Sequence, residues 1–215
     1  MSTLVFNEKY QVYHRQSGTD RDRIPEVLRT YKNLSIGPQS RVLDLGGNIG
    51  LFSFFFTKQA ELVVVFEPEK ENFEILSKNL SDRTNLLGFN GAVTLRKYDT
   101  IDFYKSTGKS SGNHSVRPIR GRKLIQVNNY YFPSILSAYR PTVIKMDVEG
   151  AEYELLVTEL PQCVKEIIIE FHFTKKGDAE KCYDRIKGLN EQGFKQVQRA
   201  KIDPDLRHTI SHLRR

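Results

Sequence analysis

The sequence predicts an α/β fold: a Rossmann-like, doubly wound sheet of mostly parallel strands. Three observations carry that expectation. Apolar runs at residues 42–45, 62–66 and 86–89 alternate with two helical patterns, a βαβαβ order that calls for parallel pairing. Leu62-Val-Val-Val-Phe66 contains no polar residue, as expected of a strand covered on both faces. Between the first strand and the first helix lies Asp44-Leu-Gly46-Gly47-Asn48-Ile-Gly50, whose glycines remove side chains where a backbone turns tightly or approaches a ligand.

Residues 1–20 are mixed and polar, with Tyr10, Tyr13 and His14, and read as a short strand and a loop; closure over a cofactor and strand packing are equal readings of those three residues. Thr19 or Asp20 can cap a helix that is apolar at Ile24, Val27, Leu28 and Tyr31. Leu51, Phe52, Phe54, Phe55 and Phe56 are too apolar for a surface helix, so theirs should pack on the sheet. Pro68 suits the first turn of a helix from Glu69 to about Leu80, with Phe73, Leu76 and Leu80 on one face. Residues 94–128 alternate polar and apolar and predict an antiparallel insertion over the sheet face, with a mobile basic loop at 106–123. His114 in that loop reads as solvated, a substrate-contacting lid being the alternative. The α/β order then resumes: a strand at 142–146, a helix through Tyr153, Leu155, Leu156 and Leu160 stopped by Pro161, and a strand at 166–169. A helix from Asp178 to about Leu189 precedes a closing pair of strands, 193–199 and 207–213, around a turn at Asp203-Pro-Asp205.

Length and composition suit one domain spanning 1–215, with 1–34 as an N-terminal segment and 94–128 as the insertion. Thirty-three basic against 26 acidic residues give a charge of +7, which hints at an anionic partner. Much of that excess sits at 117–123, 199–201 and 207–215, where a solvated basic surface is the plainer reading. Cys163 and Cys182 lie far apart and outside any CxxC, so neither a disulfide scaffold nor a zinc site is indicated, and a reducing compartment fits. Neither a signal-peptide pattern nor an apolar run near the ~18 residues of a membrane span is visible, so a soluble, cytoplasmic protein is expected. No oligomeric state follows.

Ligands of a doubly wound sheet bind beyond the carboxyl ends of its strands, and here those ends carry Asp44, Glu67, Asp147 and Glu170. Glu67 follows Asp44 by 23 residues, near the roughly 20-residue offset at which an acid accepts a ribose diol. The glycine spacing is not the G-x-G-x-x-G of a dinucleotide site. An acid two places before the first glycine is a poor neighbour for pyrophosphate and a good one for an ammonium group. S-adenosylmethionine offers both a ribose and an amino-acid end.

The segments Val42-Leu-Asp-Leu-Gly-Gly-Asn-Ile-Gly50, Val65-Phe-Glu-Pro68, Asn90-Gly-Ala92, Ile144-Lys-Met-Asp-Val-Glu-Gly-Ala-Glu152 and Ile169-Glu-Phe-His172 together resemble the FkbM family of class I methyltransferases. The resemblance covers roughly residues 35–175, and its most specific part is the Lys-x-Asp-Val-Glu-Gly-Ala-Glu motif. It implies a seven-stranded, mostly parallel sheet with an antiparallel closing strand, S-adenosylmethionine as donor, and O-methylation of a hydroxyl. The implied acceptor is a small molecule or glycan, often a sugar or a polyketide, with a sugar favoured and a deoxysugar such as rhamnose as the lean. Asp44, Gly46, Gly47, Asn48 and Gly50 would line the methionine part, Glu67 the ribose, and Asn90, Gly91 and Ala92 the adenine. Asp147 would face the reacting centre.

A sugar hydroxyl needs a base or a metal to become a nucleophile at neutral pH. Glu170 and His172 share a face of an extended strand, as do Asp147 and Glu149 if the chain stays extended there. Two mechanisms fit: His172 or Asp147 takes the proton directly, or Asp147, Glu149, Glu170 and His172 hold Mg²⁺ or Mn²⁺. The lean is to the direct base, because Glu149 and Glu152 also suit a helix cap. Lys145 would orient the acceptor, a salt bridge being the plainer reading. A nucleic-acid methyltransferase is the rival reading; it lacks an Asn-Pro-Pro-Tyr-like motif, and acids around the acceptor repel a phosphate backbone. A nicotinamide oxidoreductase and a non-enzymatic binding scaffold of degenerate methyltransferase fold are the remaining alternatives.

Overall fold

The computed structural model describes residues 3–106, 114–118, 121–198, 202 and 207–215. In chain order the elements are β1 (Leu4–Asn7), β2 (Val12–Arg15), α1 (Asp20–Thr30), β3 (Arg41–Leu45), α2 (Leu51–Phe56), β4 (Leu62–Phe66), α3 (Lys70–Asn79), β5 (Leu86–Phe89) and β6 (Ala92–Thr94). Then follow β7 (Thr100–Lys105), β8 (Lys123–Tyr131), α4 (Phe132–Tyr139), β9 (Val143–Met146), α5 (Glu152–Leu155), β10 (Glu166–His172), α6 (Asp178–Glu191), β11 (Lys195–Gln198) and β12 (His208–Arg214).

The central sheet has seven strands in the order β11-β12-β10-β9-β3-β4-β5. Neighbours from β10 through β5 are parallel, and β12 runs antiparallel to both β10 and β11. The class I methyltransferase-like sheet with its antiparallel closing strand is therefore the observed one. Alternation along the buried strands divides the core in two. Leu43, Val64, Ile144 and Ile167 face α4, α5 and α6, where they meet Phe132, Leu155 and Ile186. Val42, Val63, Val143 and Ile168 face the opposite layer, where Tyr31 and Phe52 pack.

The chain leaves β3 toward β4 and β5, then returns to the other side of β3 as β9. That reversal opens a crevice at the carboxyl ends of β3 and β9. Glycine closes the crevice floor. Gly46 has φ +79°, and a Cβ there would lie 1.8 Å from the Asp147 carbonyl oxygen. The Gly46 and Gly47 amides both donate to Phe66 O at 2.9 Å, and the Asp147 amide donates to Leu45 O at 3.0 Å. The ends of β3, β4 and β9 are thus one hydrogen-bonded unit.

Several elements depart from expectation. Residues 3–16 form a hairpin, β1–β2, rather than one strand and a loop. It packs beside α1 and α3, with Asn79 accepting from the Tyr13 amide at 2.7 Å. The helix expected through Leu160 ends at Leu155, a single turn. α4 was not legible, since Pro133 and a short apolar string hid it. The 94–128 insertion is only partly antiparallel: β7 pairs antiparallel with β8, whereas β6 pairs parallel with it. The basic loop and the Asp203–Asp205 turn fall largely outside the described residues, so their expected mobility and turn stay untested. Among the described residues, no helix is long and apolar enough to cross a membrane.

Candidate active site

Two cavities open at the strand ends and share Arg23, Asp147 and Glu149 as a common wall. The first, about 590 Å³ of empty space, is lined by Gly46, Asn48, Glu67, Gly91, Ala92, Phe103 and His114 among others. The second, about 1270 Å³, lies under α1 and is lined by Tyr31, Arg122, Glu170, His172, Arg207 and His208 among others. We refer to them as the inner cleft and the outer cavity.

Glu67 ends β4 and is buried. Its Oε2 accepts the Asn48 amide at 2.8 Å, and its Oε1 accepts the Glu69 amide at 2.9 Å and Asn72 Nδ2 at 3.3 Å. A carboxylate offers about four acceptor positions, so capacity for a ligand hydroxyl remains. Burial pushes the Glu67 carboxyl up to about 7, against the pull of the bonds from Glu69, Asn48 and Asn72. The folded state therefore binds this proton more tightly than the unfolded chain does. Its stability should fall as pH rises from the ordinary glutamate value toward 7. Glu67→Gln removes that dependence. Between pH 4 and pH 8 the stability of the wild type relative to Glu67→Gln should drop by on the order of 3 kcal/mol in urea melts. A difference that stays flat with pH would show that this carboxyl is not perturbed.

The remaining residues expected around a donor divide. Gly46, Asn48, Gly91, Ala92 and Asp147 line the inner cleft, whereas Asp44, Gly50 and Asn90 do not. Asp44 is fully buried and lines neither cavity. It pairs in register with Lys145 across β3 and β9, so that Lys145 Nζ sits 3.2 Å from its Oδ1, and Ser53 Oγ donates to its Oδ2 at 2.7 Å. The ammonium group that stands beside Asp44 in the structure is that of Lys145. Lys145 makes the salt bridge, the plainer of its two readings, and its ammonium also donates to the Leu45 and Gly46 carbonyls, anchoring the glycine turn. Gly47 lines a small adjoining pocket, and its Cβ would strike Val65 Cγ2 at 2.4 Å, so its glycine serves packing. Gly50, at φ +87°, seats α2 against Leu76. Asn90 pins the β5–β6 turn by donating to Glu67 O at 2.8 Å.

On the outer side, four carboxylates surround one imidazole. His172 Nε2 lies 3.7 Å from Asp147 Oδ1, 3.6 Å from Glu149 Oε2 and 3.6 Å from Glu170 Oε1. Glu152 holds the ring from behind: its Oε1 accepts the His172 amide at 2.6 Å and stands 3.4 Å from Nδ1, while its Oε2 accepts the Gly150 amide at 2.7 Å. Alternation on β10 brings Glu170 and His172 to one face, as expected. Asp147 and Glu149 converge by another route. The chain does not stay extended; Glu149 takes φ +52° and Gly150 φ +104°, folding Glu149 back toward the histidine. Burial outweighs the favourable His172 contact and pushes Glu149 up to about 7; burial and Asp147 push Glu170 up to about 8. His172 goes up to about 10, because the surrounding carboxylates, Glu152 first, overcome its desolvation.

Ligand atoms of Asp147, Glu170 and His172 all lie within 4.8 Å of one another, a donor set of two carboxylates and one imidazole. Such a set suits a hard divalent cation. Tyr10 and Tyr13 line neither cavity, and His14 belongs to the hairpin. His114, expected in solvent, is instead buried in the inner cleft wall and accepts the Ser106 amide through Nδ1 at 2.9 Å. Sequence reasoning missed Arg23, Asn72, Phe103 and Val116 in that wall, and Arg122 and Arg207 in the outer cavity. No local motif marks them; only Glu152 carried a signal, as the last residue of the Asp147–Glu152 motif.

The family profile described as Methyltransferase FkbM domain matches residues 44–196. A hexuronic acid methyltransferase of Haloferax volcanii is 30% identical over 137 residues, 60% of this chain and 54% of that protein. The chain thus spans about half the length of that relative. The structure of methyltransferase FkbM from Methylobacillus flagellatus aligns with a TM-score of 0.52 and 17% identity, over 85% of this chain and 45% of that one. TYW2 of M. jannaschii, solved in complex with AdoMet, aligns with a TM-score of 0.53 and 14% identity, over 100% of this chain and 88% of that one. At such identities the two structures speak for the fold.

Proposed function

We propose that this chain, which belongs to the FkbM methyltransferase family, transfers the methyl group of S-adenosylmethionine to a hydroxyl oxygen of a sugar. The single observation that carries this reading is the shared wall. A cleft with a ribose-type acid opens on one side of Asp147, and a carboxylate–histidine cluster stands on the other. Sugar is favoured because the curated relative acts on a hexuronic acid. A rhamnose acceptor has no observation of its own.

S-adenosylmethionine supplies a methyl group already activated by its sulfonium, so the protein must align the acceptor and manage one proton. Glu67 would accept the ribose hydroxyls, with Gly91 and Ala92 against the adenine and Gly46 and Asn48 against the amino-acid part. Alignment across a common wall accounts for much of the rate in such a displacement. The acceptor oxygen forms its bond to the methyl carbon as the carbon–sulfur bond breaks, and its proton passes to the Asp147 carboxylate on the shared wall.

The carboxylates around His172 push it up to about 10, so its ring must give up a proton before it can act as a base or as a metal ligand. The donor set fits a divalent ion better than the sequence lean to a direct base allowed. Asp147, Glu170 and His172, with Glu149 beside them, would hold Mg²⁺ or Mn²⁺, which supplies a Lewis acid that lowers the pKa of a bound hydroxyl. Exhaustive chelation is expected to lower turnover at least about 100-fold, with recovery on adding Mg²⁺ or Mn²⁺ and with S-adenosylhomocysteine binding unchanged. Turnover indifferent to chelation removes the metal and leaves Asp147 as the base.

The function itself is tested by titrating S-adenosylhomocysteine calorimetrically, then screening sugars by mass spectrometry for a gain of one methyl. Expected are binding and an alkali-stable ether product. No binding overturns the donor assignment, and an alkali-labile ester would move the reaction from hydroxyl to carboxylate.

A further inference from the structure

We propose that Arg122, together with Arg207 and Arg23, forms a carboxylate-reading rim in the outer cavity, so that the acceptor is an acidic sugar held through its uronate group. This rests on the methyl-transfer reading above and deepens it.

Three guanidinium groups line the outer cavity, from α1, from the start of the β8 segment and from the approach to β12. Arg15, Arg41, Arg117 and Arg214 each stand within ion-pair distance of a carboxylate. Among the described residues, Arg23, Arg122 and Arg207 have no such partner, although Glu149 and Glu170 line the same cavity. Those acids are gathered around His172 instead. One terminal nitrogen of Arg122, Nη1, is also buried without a hydrogen-bond acceptor. A guanidinium group on a cavity wall, with one of its nitrogens lacking an acceptor, suits an oxyanion. The planar fork of arginine matches a carboxylate through two parallel bonds.

Carboxylate and phosphate share that chemistry, and the cavity favours the former. A phosphate dianion would bring a second negative charge toward Glu149 and Glu170, whereas a uronate brings one. A neutral pyranose offers the Arg122 nitrogen only hydroxyl oxygens, which lack the charge and the paired geometry of a carboxylate. The rim also explains how an acidic sugar reaches a cluster that is itself acidic: the guanidinium groups offset the carboxylates along the approach.

The test compares three matched acceptors: methyl glucoside, methyl glucuronoside and methyl glucoside 6-phosphate. Methyl transfer is measured for the wild type, Arg122→Gln, Arg122→Lys and Arg207→Gln. The wild type is expected to prefer the glucuronoside to the glucoside by about tenfold or more in kcat/KM. Arg122→Gln should erase most of that preference through KM, and Arg122→Lys should recover part of it. Arg207→Gln, at an exposed position, should reduce the preference less. Loss in Arg122→Gln that is equal for acidic and neutral acceptors overturns the rim, as does preference for the phosphate. Should Arg122→Gln fail to fold, an unchanged preference in Arg207→Gln overturns it. Equal use of glucoside and glucuronoside by the wild type sinks the rim alone. Absence of transfer to all three, with S-adenosylhomocysteine still bound, sinks the sugar reading and the rim with it.

Discussion

Asp147→Asn is expected to lower kcat by about 10²–10⁴-fold while leaving the affinity for S-adenosylhomocysteine within about tenfold. The asymmetry follows from how the residue is held. Its backbone is fixed independently of its side chain, since its amide donates to Leu45 O at 3.0 Å and its carbonyl packs against Gly46. Asparagine keeps the shape and loses the charge. On the inner side, the donor retains Glu67, Asn48, Gly91 and Ala92. On the outer side the loss is larger, because Asp147 is one of three groups whose ligand atoms cluster within 4.8 Å. Without its charge, neither a divalent ion nor a proton leaving the acceptor is stabilised. Single-turnover kinetics and calorimetry separate the two effects. A kcat within about threefold of wild type would remove Asp147 from the chemistry. An affinity loss as large as the kcat loss would make it a donor residue only.

Much of this arrangement was legible in the sequence, for reasons visible in single residues. β3, β4 and β9 could be read because burial on both faces makes their composition continuous and apolar. Glu170 and His172 could be paired because the two-residue period of a strand is rigid. The neighbour of Asp44 was hidden by a related rule. Asp44 and Lys145 occupy matching register positions on neighbouring parallel strands, and a sequence shows neither register nor partner. An acid beside a glycine turn therefore read as a ligand group, with no sign of the lysine that stands beside its carboxylate from one strand away. Arg122 was illegible for a different reason. It sits in a basic stretch whose local pattern resembles a solvated loop, and only the path of β7 and β8 brings it to the cavity. His114 hid in the same way. Side chains that reach a site through long-range topology leave no periodic trace near themselves.

Gly46→Ala is expected to destabilise the fold by at least roughly 3 kcal/mol, lowering Tm by roughly 6–12 °C. Two independent costs combine. The φ of +79° lies in the left-handed region, which costs an L-residue about 1–2 kcal/mol. The new Cβ would also stand 1.8 Å from the Asp147 carbonyl oxygen, and that obstacle is backbone, unable to rotate aside. Relief requires the ends of β3 and β9 to separate, straining the bond from the Asp147 amide to Leu45 O and the Lys145 anchor on the Gly46 carbonyl. Gly37→Ala is the matched control: nothing lies within 4 Å of its Cβ position, and a change within about 0.5 kcal/mol is expected. Because the displaced atom belongs to Asp147, the folded fraction of Gly46→Ala should also lose turnover beyond what its stability explains. Urea melts together with activity measured well below the transition read both quantities. A variant that melts within about 2 °C of wild type would mean that the β3 and β9 ends part freely. The positioning of Asp147 against the His172 cluster would then have to come from α5 and Glu152 alone.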